Sequence, residues 1–511
     1  MDSFSVRNFK SLRNIEDVPI KPINLFVGKN SSGKSSLLRL WPLLKQSVMR
    51  RTKGPLLFYG EEVDFGSFDD VLCNKSKSGS IELSFGFSIK DISNSSSRFL
   101  IPPLFLSGYS DVKIRITIIK IGDAGAQVSK IEIFTHEDLC SIEIDQNGKV
   151  NLLKINESTV ELGNYEYRVV DYSGIIPKIV GTKPHRAPRF RRATKFGKAE
   201  DIITETLAKK MHANTSTNTI TEGIDRLIFG SIESISKQLT RIFTGKHFGK
   251  VMTNEGYTIA SDIRGLIFAR DAFILIETAS DYIRGVAHNT KYIKPLRAAA
   301  ERYYRPQDLQ IEEINSDGSN LAVYIRSLST REKDSFDEWT ASSFGFRIRA
   351  SLSGGHYSLR LKTNKGDREY NVADLGFGYS QILPVITQIW SSTRSKRTAF
   401  SNYPIIYAIE QPELHLHPAY QAKVADLMIK AYKVARSNDL DVRFIIETHS
   451  DAIVNRIGRR ISEEEINSDD VNIVLFDKMD TDTETKCVFS HYSSDGYLEN
   501  WPYGFFDSED F

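Results

Sequence analysis

At 511 residues the chain is longer than one hydrophobic core sustains, and its 40% hydrophobic and 26% charged content is that of a globular protein with material for two or three packed units. The 67 Lys and Arg against 65 Asp and Glu leave a net charge of +2, which excludes a global pull toward nucleic acid or a membrane surface and makes any polyanion contact local. Cys73, Cys140 and Cys487 stand far apart with no CxxC or Cys/His cluster, and no signal-like or membrane-length apolar run is present, so the chain reads as cytoplasmic, without zinc, disulfide framework or membrane partner.

The first 40 residues predict strand, turn, strand, loop and helix. Ile23 to Val27 is a short apolar strand that enters GKNSSGKS, Gly28 to Ser35, and Leu37, Leu38, Leu40 and Trp41 supply an apolar helical face behind it. Gly28, Gly33, Lys34 and Ser35 satisfy GxxxxGK(S/T), in which backbone N–H groups surround phosphate oxygens. A nucleotide is therefore expected along Gly28, Lys29, Asn30, Ser31, Ser32, Gly33, Lys34, Ser35 and Ser36, with Lys34 on the β- and γ-phosphates and Ser35 on Mg²⁺. Pro42 is expected to kink that helix or end its first section.

From Leu57 to Val170, short runs alternate apolar and polar residues, as in Ser80–Ile89, Val112–Ile121 and Lys130–Phe134, which predicts a β-rich lobe. Thr182 to Lys198 carries seven Lys or Arg and no acidic residue among prolines and a glycine, a loop by composition. Arg186, Arg189, Arg191, Arg192, Lys195 and Lys198 there suit a nucleic-acid backbone, DNA or RNA; a solvated loop or an acidic protein partner fits the same residues. Helical periodicity follows from Ala199 to Val286, interrupted by polar His212–Thr221. The last third returns to α/β character, with Ile405–Ile409 and Val442–Ile446 as strands of the kind buried on both faces of a parallel sheet. The organisation expected is an N-terminal lobe, 1–180, a basic loop and helical insertion, 181–290, and a C-terminal α/β lobe, 291–511.

The second motif is IIYAIEQPELHLHP, Ile405 to Pro418. A buried strand ending in a carboxylate beside a phosphate loop suits a Mg²⁺–nucleotide, because the acid holds the metal's hydration shell, and Glu410 stands at that point. PELHLHP resembles the Walker B and D-loop region of the SMC-, RecF- and OLD-like branch of ABC ATPases. The resemblance implies Glu410 as the metal-side acid, with Gln411 where a catalytic Glu polarises the attacking water. Gln cannot accept a proton, although an amide can orient water, so slow hydrolysis is implied, with Glu413 as the nearest compensating carboxylate. His415 and His417 fall in the D-loop, which in this branch lies at a dimer interface. Phe444 to Ile457, FIIETHSDAIVNRI, places His449 where the family has its γ-phosphate-sensing switch histidine. Asp374 to Ile386, DLGFGYSQILPVI, sits at the signature position, with Gly376, Gly378, Ser380 and Gln381 as the in-trans contacts, although it is not LSGGQ. Val63–Val71 is the best positional candidate for a Q-loop.

The fold the resemblance implies is α/β: an ABC ATPase head of the P-loop NTPase class, with a β-rich lobe and a helical insertion between Walker A and signature. Tyr292–Tyr304, Asn315–Ile325 and Gly496–Asp507 resemble a subgroup of OLD-like ATPases that ends in Trp-Pro-x-Gly-Phe-Phe-Asp and is common in bacterial defence loci; Phe99–Gly285 lies outside the resemblance. Arg297 and Arg302 are either phosphate or interface contacts or structural arginines.

Three functions are distinguished. A nucleotide-driven switch would work as a homodimer or higher even oligomer, because each site is completed by the other subunit's signature. The resemblance adds an anti-phage role as ATPase subunit of a Septu-like or retron-associated system with a separate nuclease effector, the HNH type included. An OLD-type ATPase with its own nuclease is the runner-up, but few residues follow His449, and Asp469, Asp470, Asp477, Asp480 and Asp482 fall in loop-like, solvated sequence. A nucleotide-binding scaffold with negligible turnover is the third, and Gln411 favours it.

Overall fold

The computed structural model describes residues 1–73, 76, 78–90, 106–123, 125–172, 174–182, 196–305, 311, 313–353, 355–366, 368–392, 402–477 and 485–502. The chain divides into two compact units, one of residues 1–9, 47–59 and 65–284, the other of residues 10–46, 60–64 and 285–511.

The first unit is built on antiparallel pairing of Ser3–Phe9, Ser80–Ser88, Asp111–Ile121, Gly125–Phe134, Leu139–Ile144, Val150–Ile155 and Ser158–Thr159, in that spatial order. The period-two patterning explains it. Val112, Ile114, Ile116 and Ile118 are buried while Lys113, Arg115 and Thr117 are less so, as alternate residues of a strand point to opposite faces. Helices follow at Gly197–Ala208, Thr217–Ile224, Ile232–Ile242 and Lys246–His288. The polar stretch predicted as an interruption is shorter than its composition suggests, because Ser216 caps a helix that starts within it by accepting from Thr219 N. Buried Arg270 donates to the carbonyls of Ile224 and Leu227, at 2.7 and 2.8 Å, and so ties down the turn that follows the Thr217–Ile224 helix.

The second unit carries a seven-stranded sheet. Lys291–Ile293, Ile405–Glu410, Val442–Glu447, Ile23–Gly28 and Val471–Asp477 run parallel in that order, and Lys486–Tyr492 and Leu498–Glu499 extend it antiparallel. All six residues of Ile23–Gly28 are buried, as continuous apolar runs in doubly covered parallel strands are. The one polar residue among them, Asn24, is satisfied by donating to the carbonyls of Lys21 and Phe444 at 2.6 and 2.9 Å. The helices Phe377–Ser392, Pro418–Ser437 and Asp451–Ser462 contribute Leu383, Trp390, Val424, Met428, Val454 and Ile457 to the same core.

Register places the site. Glu410 is level with Glu447, and Glu447 with Phe26, two residues before Gly28. The carboxyl ends of three neighbouring strands therefore present a glycine loop and two acids along one edge, where parallel α/β sheets bind ligands. The helix behind the loop breaks at Arg39, into Lys34–Leu38 and Leu40–Met49. Pro42 lacks the N–H that would bond the Leu38 carbonyl, as expected from its place in the sequence.

Candidate nucleotide site

Gly28 and Gly33 shape the loop. A Cβ on Gly28 would stand 2.2 Å from the carbonyl oxygen of Phe476, so no side chain fits between the adjacent strands there. Gly33 has a φ of +98°, and a Cβ on it would meet Ser11 Oγ at 2.8 Å. Ser31 also takes a left-handed φ, of 60°. Thr485 Oγ1 donates to Ser32 O at 2.8 Å and stands 3.1 Å from Ser11 Oγ, which fastens the loop from outside.

Lys34 is buried and folds back over the loop, donating to Gly28 O at 2.8 Å and Lys29 O at 2.6 Å. Burial holds its ammonium below the usual lysine range, against the opposing charges of Glu447 and Glu413. Ser35 Oγ donates to Glu447 Oε1 at 2.9 Å.

The Glu410 carboxylate is 1% exposed and fully engaged. Arg39 grips it as a fork, Nε to Oε1 and Nη2 to Oε2, both at 2.7 Å, and Tyr292 donates to Oε1 at 2.6 Å. Beside it, Gln411 adopts a left-handed φ of 42°, and its N–H donates to Glu447 O at 2.9 Å. Such a conformation in a non-glycine residue costs about 1–3 kcal/mol and here is held by surrounding bonds. Arg297 supplies one of them, donating from Nη2 to Glu410 O at 2.8 Å and Gln411 O at 3.3 Å.

Glu413 Oε1 accepts from the backbone N–H of His449 at 2.7 Å, so the turn after one strand positions the histidine after the next. Burial pushes the Glu413 carboxyl up. Glu447 is pushed up to about 7, first by burial and then by the nearby charge of Glu410, against the Ser35 hydrogen bond. The His449 ring is pushed down to about 4 by desolvation and, secondly, by the Lys34 ammonium, so it is a neutral hydrogen-bonding group at neutral pH.

The segment Asp374–Gln381 divides its side chains. Gln381 is fully buried, its Oε1 accepting from Arg297 N at 3.3 Å and its Nε2 donating to Arg297 O at 3.0 Å. Ser380 Oγ donates to Phe377 O within its own helix. Gly376 has a φ of +87° with open space where a Cβ would be, and a Cβ on Gly378 would lie 3.2 Å from His415 O. Phe377, 48% exposed, sets its ring edge-to-face against His415, with centroids 4.9 Å apart. His417 caps the helix Pro418–Ser437, its Nδ1 accepting from Ala419 N. Arg302 pairs with Asp374. In Val63–Val71, Ser67 and Asp70 form a capping box on a single helical turn, Phe68–Val71.

The chemistry of the donor set fits a metal–nucleotide. Ser32 Oγ, Glu413 Oε2 and Glu447 Oε2 are buried without a hydrogen-bond partner, as are Arg297 Nε and Nη1. Buried polar atoms left unpaired cost free energy that a ligand can recover: phosphate oxygens for the donors, a cation and its waters for the carboxylates. Among the described residues no group of three or more His, Cys, Asp or Glu side chains is arranged to hold a metal by itself.

The profile of the AAA ATPase domain family matches residues 1–454. The chain belongs to that family. The ATPase profile runs through Phe99–Gly285, which the sequence resemblance did not reach, and stops before the Trp-Pro-x-Gly-Phe-Phe-Asp ending. The ATPase is also similar to two solved structures, the SmcHead bound to the C-winged helix domain of ScpA, with 13% identity over 96% of this chain and 97% of that one at a TM-score of 0.37, and the SMC head domain from Thermotoga maritima, with 9% identity over 95% and 97% at 0.33. No curated protein matches it. No helix among the described residues of the ATPase is long and apolar enough to cross a membrane.

Of the residues read from sequence, Lys34, Ser35, Glu410, Gln411, Glu413 and His449 come together at this sheet edge. Arg186, Arg189, Arg191, Arg192 and Lys195 lie outside the described residues, as do Asp480 and Asp482; Lys198 is half-buried in the first turn of the Gly197–Ala208 helix. Sequence reasoning does not reach Arg39, Tyr292, Glu447 and Thr485. Glu447 obeys the same rule that picked Glu410, a carboxylate at the end of a buried strand, whereas Arg39, Tyr292 and Thr485 carry no local signal.

Proposed function

We propose that this ATPase is an ABC-type switch of the SMC-, RecF- and OLD-like branch, which binds Mg²⁺–ATP along Gly28–Ser36 and hydrolyses it slowly. The observation that carries the reading is the ordered edge of the sheet, with the glycine loop, Glu447 and Glu410 on adjacent strands and buried oxygens unpaired between them. Lys34 exchanges its carbonyl partners, Gly28 O and Lys29 O, for phosphate oxygens. Ser35 and a neighbouring acid hold Mg²⁺, whose charge offsets that of the β- and γ-phosphates. Gln411 orients the attacking water through its amide but takes no proton, so turnover is slow. Glu413 fixes His449 through its backbone N–H, and the neutral ring senses the γ-phosphate.

The ATPase acts as a cytoplasmic homodimer or higher even oligomer in which Gly376, Gly378 and the exposed Phe377 face the partner's nucleotide, while Gln381 serves inside its own subunit. The WPYGFFD ending and the strings at Tyr292 and Asn315 favour a place in anti-phage defence, with a separate nuclease as effector. The basic run 183–198 is the candidate contact for DNA or RNA. A scaffold with negligible turnover is the second reading, favoured by Gln411. Sedimentation with and without ATP tests the switch. ATP is expected to drive the wild type, and not Lys34→Ala, to an even oligomer; identical profiles for both proteins with ATP bound to the wild type contradict it.

A further inference from the structure

Two acids compete for the role of metal-side carboxylate. Glu410 has the expected sequence position, but its oxygens already accept three hydrogen bonds, two from the Arg39 fork and one from Tyr292. A guanidinium in register with a carboxylate neutralises it and fills the directions from which a cation's waters would approach. Glu447 is the reverse case. Its Oε1 accepts from Ser35 Oγ, and its Oε2, buried in a residue 3% exposed, has no partner. Its strand lies directly beside the strand that enters the loop, whereas that of Glu410 is one further away.

We infer that Glu447, and not Glu410, supplies the protein carboxylate to the Mg²⁺ of the bound nucleotide, together with Ser35. The inference rests on the Mg²⁺–ATP reading given above. Glu410 then acts as a positioning residue, holding Arg39 and Tyr292 while its backbone carbonyl accepts from Arg297. With Glu410 neutralised by Arg39, only Glu447 and Glu413 among the described acids of this site keep an unpartnered carboxylate oxygen, within the one or two carboxylates that nucleotide-bound Mg²⁺ ordinarily takes.

The test titrates Mn²⁺ into each protein saturated with a non-hydrolysable ATP analogue and reads free Mn²⁺ by electron paramagnetic resonance. Analogue binding in EDTA is measured on the same samples to confirm a folded site. Glu447→Gln is expected to weaken Mn²⁺ at least about tenfold while analogue binding in EDTA stays within about twofold, and Glu410→Gln to leave Mn²⁺ within about threefold. Glu447→Asp, which keeps the charge on a shorter arm, falls between. In Glu410→Gln protein carrying ¹³C-carboxylate glutamate, a carboxylate coupling to Mn²⁺ persists. The converse pattern, with metal lost in Glu410→Gln and kept in Glu447→Gln, overturns the assignment. Failure of the wild type to bind the analogue would instead remove the Mg²⁺–ATP reading on which it stands.

Discussion

Arg39 and Glu410 form a two-pronged ion pair, Nε to Oε1 and Nη2 to Oε2, in which the acid's side chain is 2% exposed and the arginine's 38%. Removing the cation leaves a buried charge with only Tyr292 to accept from. Arg39→Ala is expected to destabilise the second unit by about 2 kcal/mol, below the usual cost for a buried pair because water screens the arginine. Glu410→Gln in the Arg39→Ala background should recover part of that loss, since it removes the stranded charge. Urea unfolding of the single and double variants measures both terms.

Gln381 binds both backbone groups of Arg297, and Gln381→Ala leaves two buried polar groups unsatisfied. A cost of about 1–3 kcal/mol follows. Arg297→Met is expected to cost less, within about 1 kcal/mol, because the loss of its bonds to the Glu410 and Gln411 carbonyls is offset by removal of Nε and Nη1, which are buried without partners. The order of the two urea midpoints checks this. If Arg297 is the costlier loss, its unpaired donors are not the burden they are taken to be.

The close approach of Gly28 to Phe476 O makes the first loop residue intolerant. Gly28→Ala must push the Val471–Asp477 strand aside, at about 3 kcal/mol by the scale of overpacked cores. Fluorescent-nucleotide binding should fall with it, because the strand end and the loop move together.

Asp426 joins Arg456 and Arg460, through Oδ1 at 2.9 and 2.7 Å and through Oδ2 to Arg456 at 2.8 Å. Burial raises its pKa, but the two guanidinium groups more than offset that and hold it below the ordinary aspartate value. A depressed carboxyl contributes stability that is fully present above its unfolded pKa, about 3.9, and is lost as pH falls through the lower folded value. Asp426→Asn should therefore cost about 1 kcal/mol, unchanged from pH 5 to 8, with the gap to wild type closing below about pH 4. A gap that instead closes near neutrality contradicts the pairing.

How much of this was legible in the sequence depends on distance along the chain. The parallel strands were readable because burial on both faces leaves largely apolar runs, INLFV, IIYAI and VRFII, broken only by Asn24 and Arg443, and the glycine loop because its spacing is local. Arg39 was not, because its partner is 371 positions away and nothing beside it announces the pairing. Tyr292 stood inside a string noted for resemblance, yet its hydroxyl's partner is set by strand order, Lys291–Ile293 next to Ile405–Glu410. Glu447 was overshadowed by His449 two residues on, although its place at a strand end carried the signal.

The central claim is that Lys34 serves a nucleotide switch with an amide at the catalytic position, and steady-state ATP hydrolysis by wild type, Lys34→Ala and Gln411→Glu tests it most directly. Slow turnover in the wild type, none above background in Lys34→Ala, and a rise of about a hundredfold or more in Gln411→Glu are expected, the last being the low end of what a positioned general base contributes. Wild type that binds ATP but hydrolyses no faster than Lys34→Ala, with no gain from Gln411→Glu, would contradict the account and leave the scaffold.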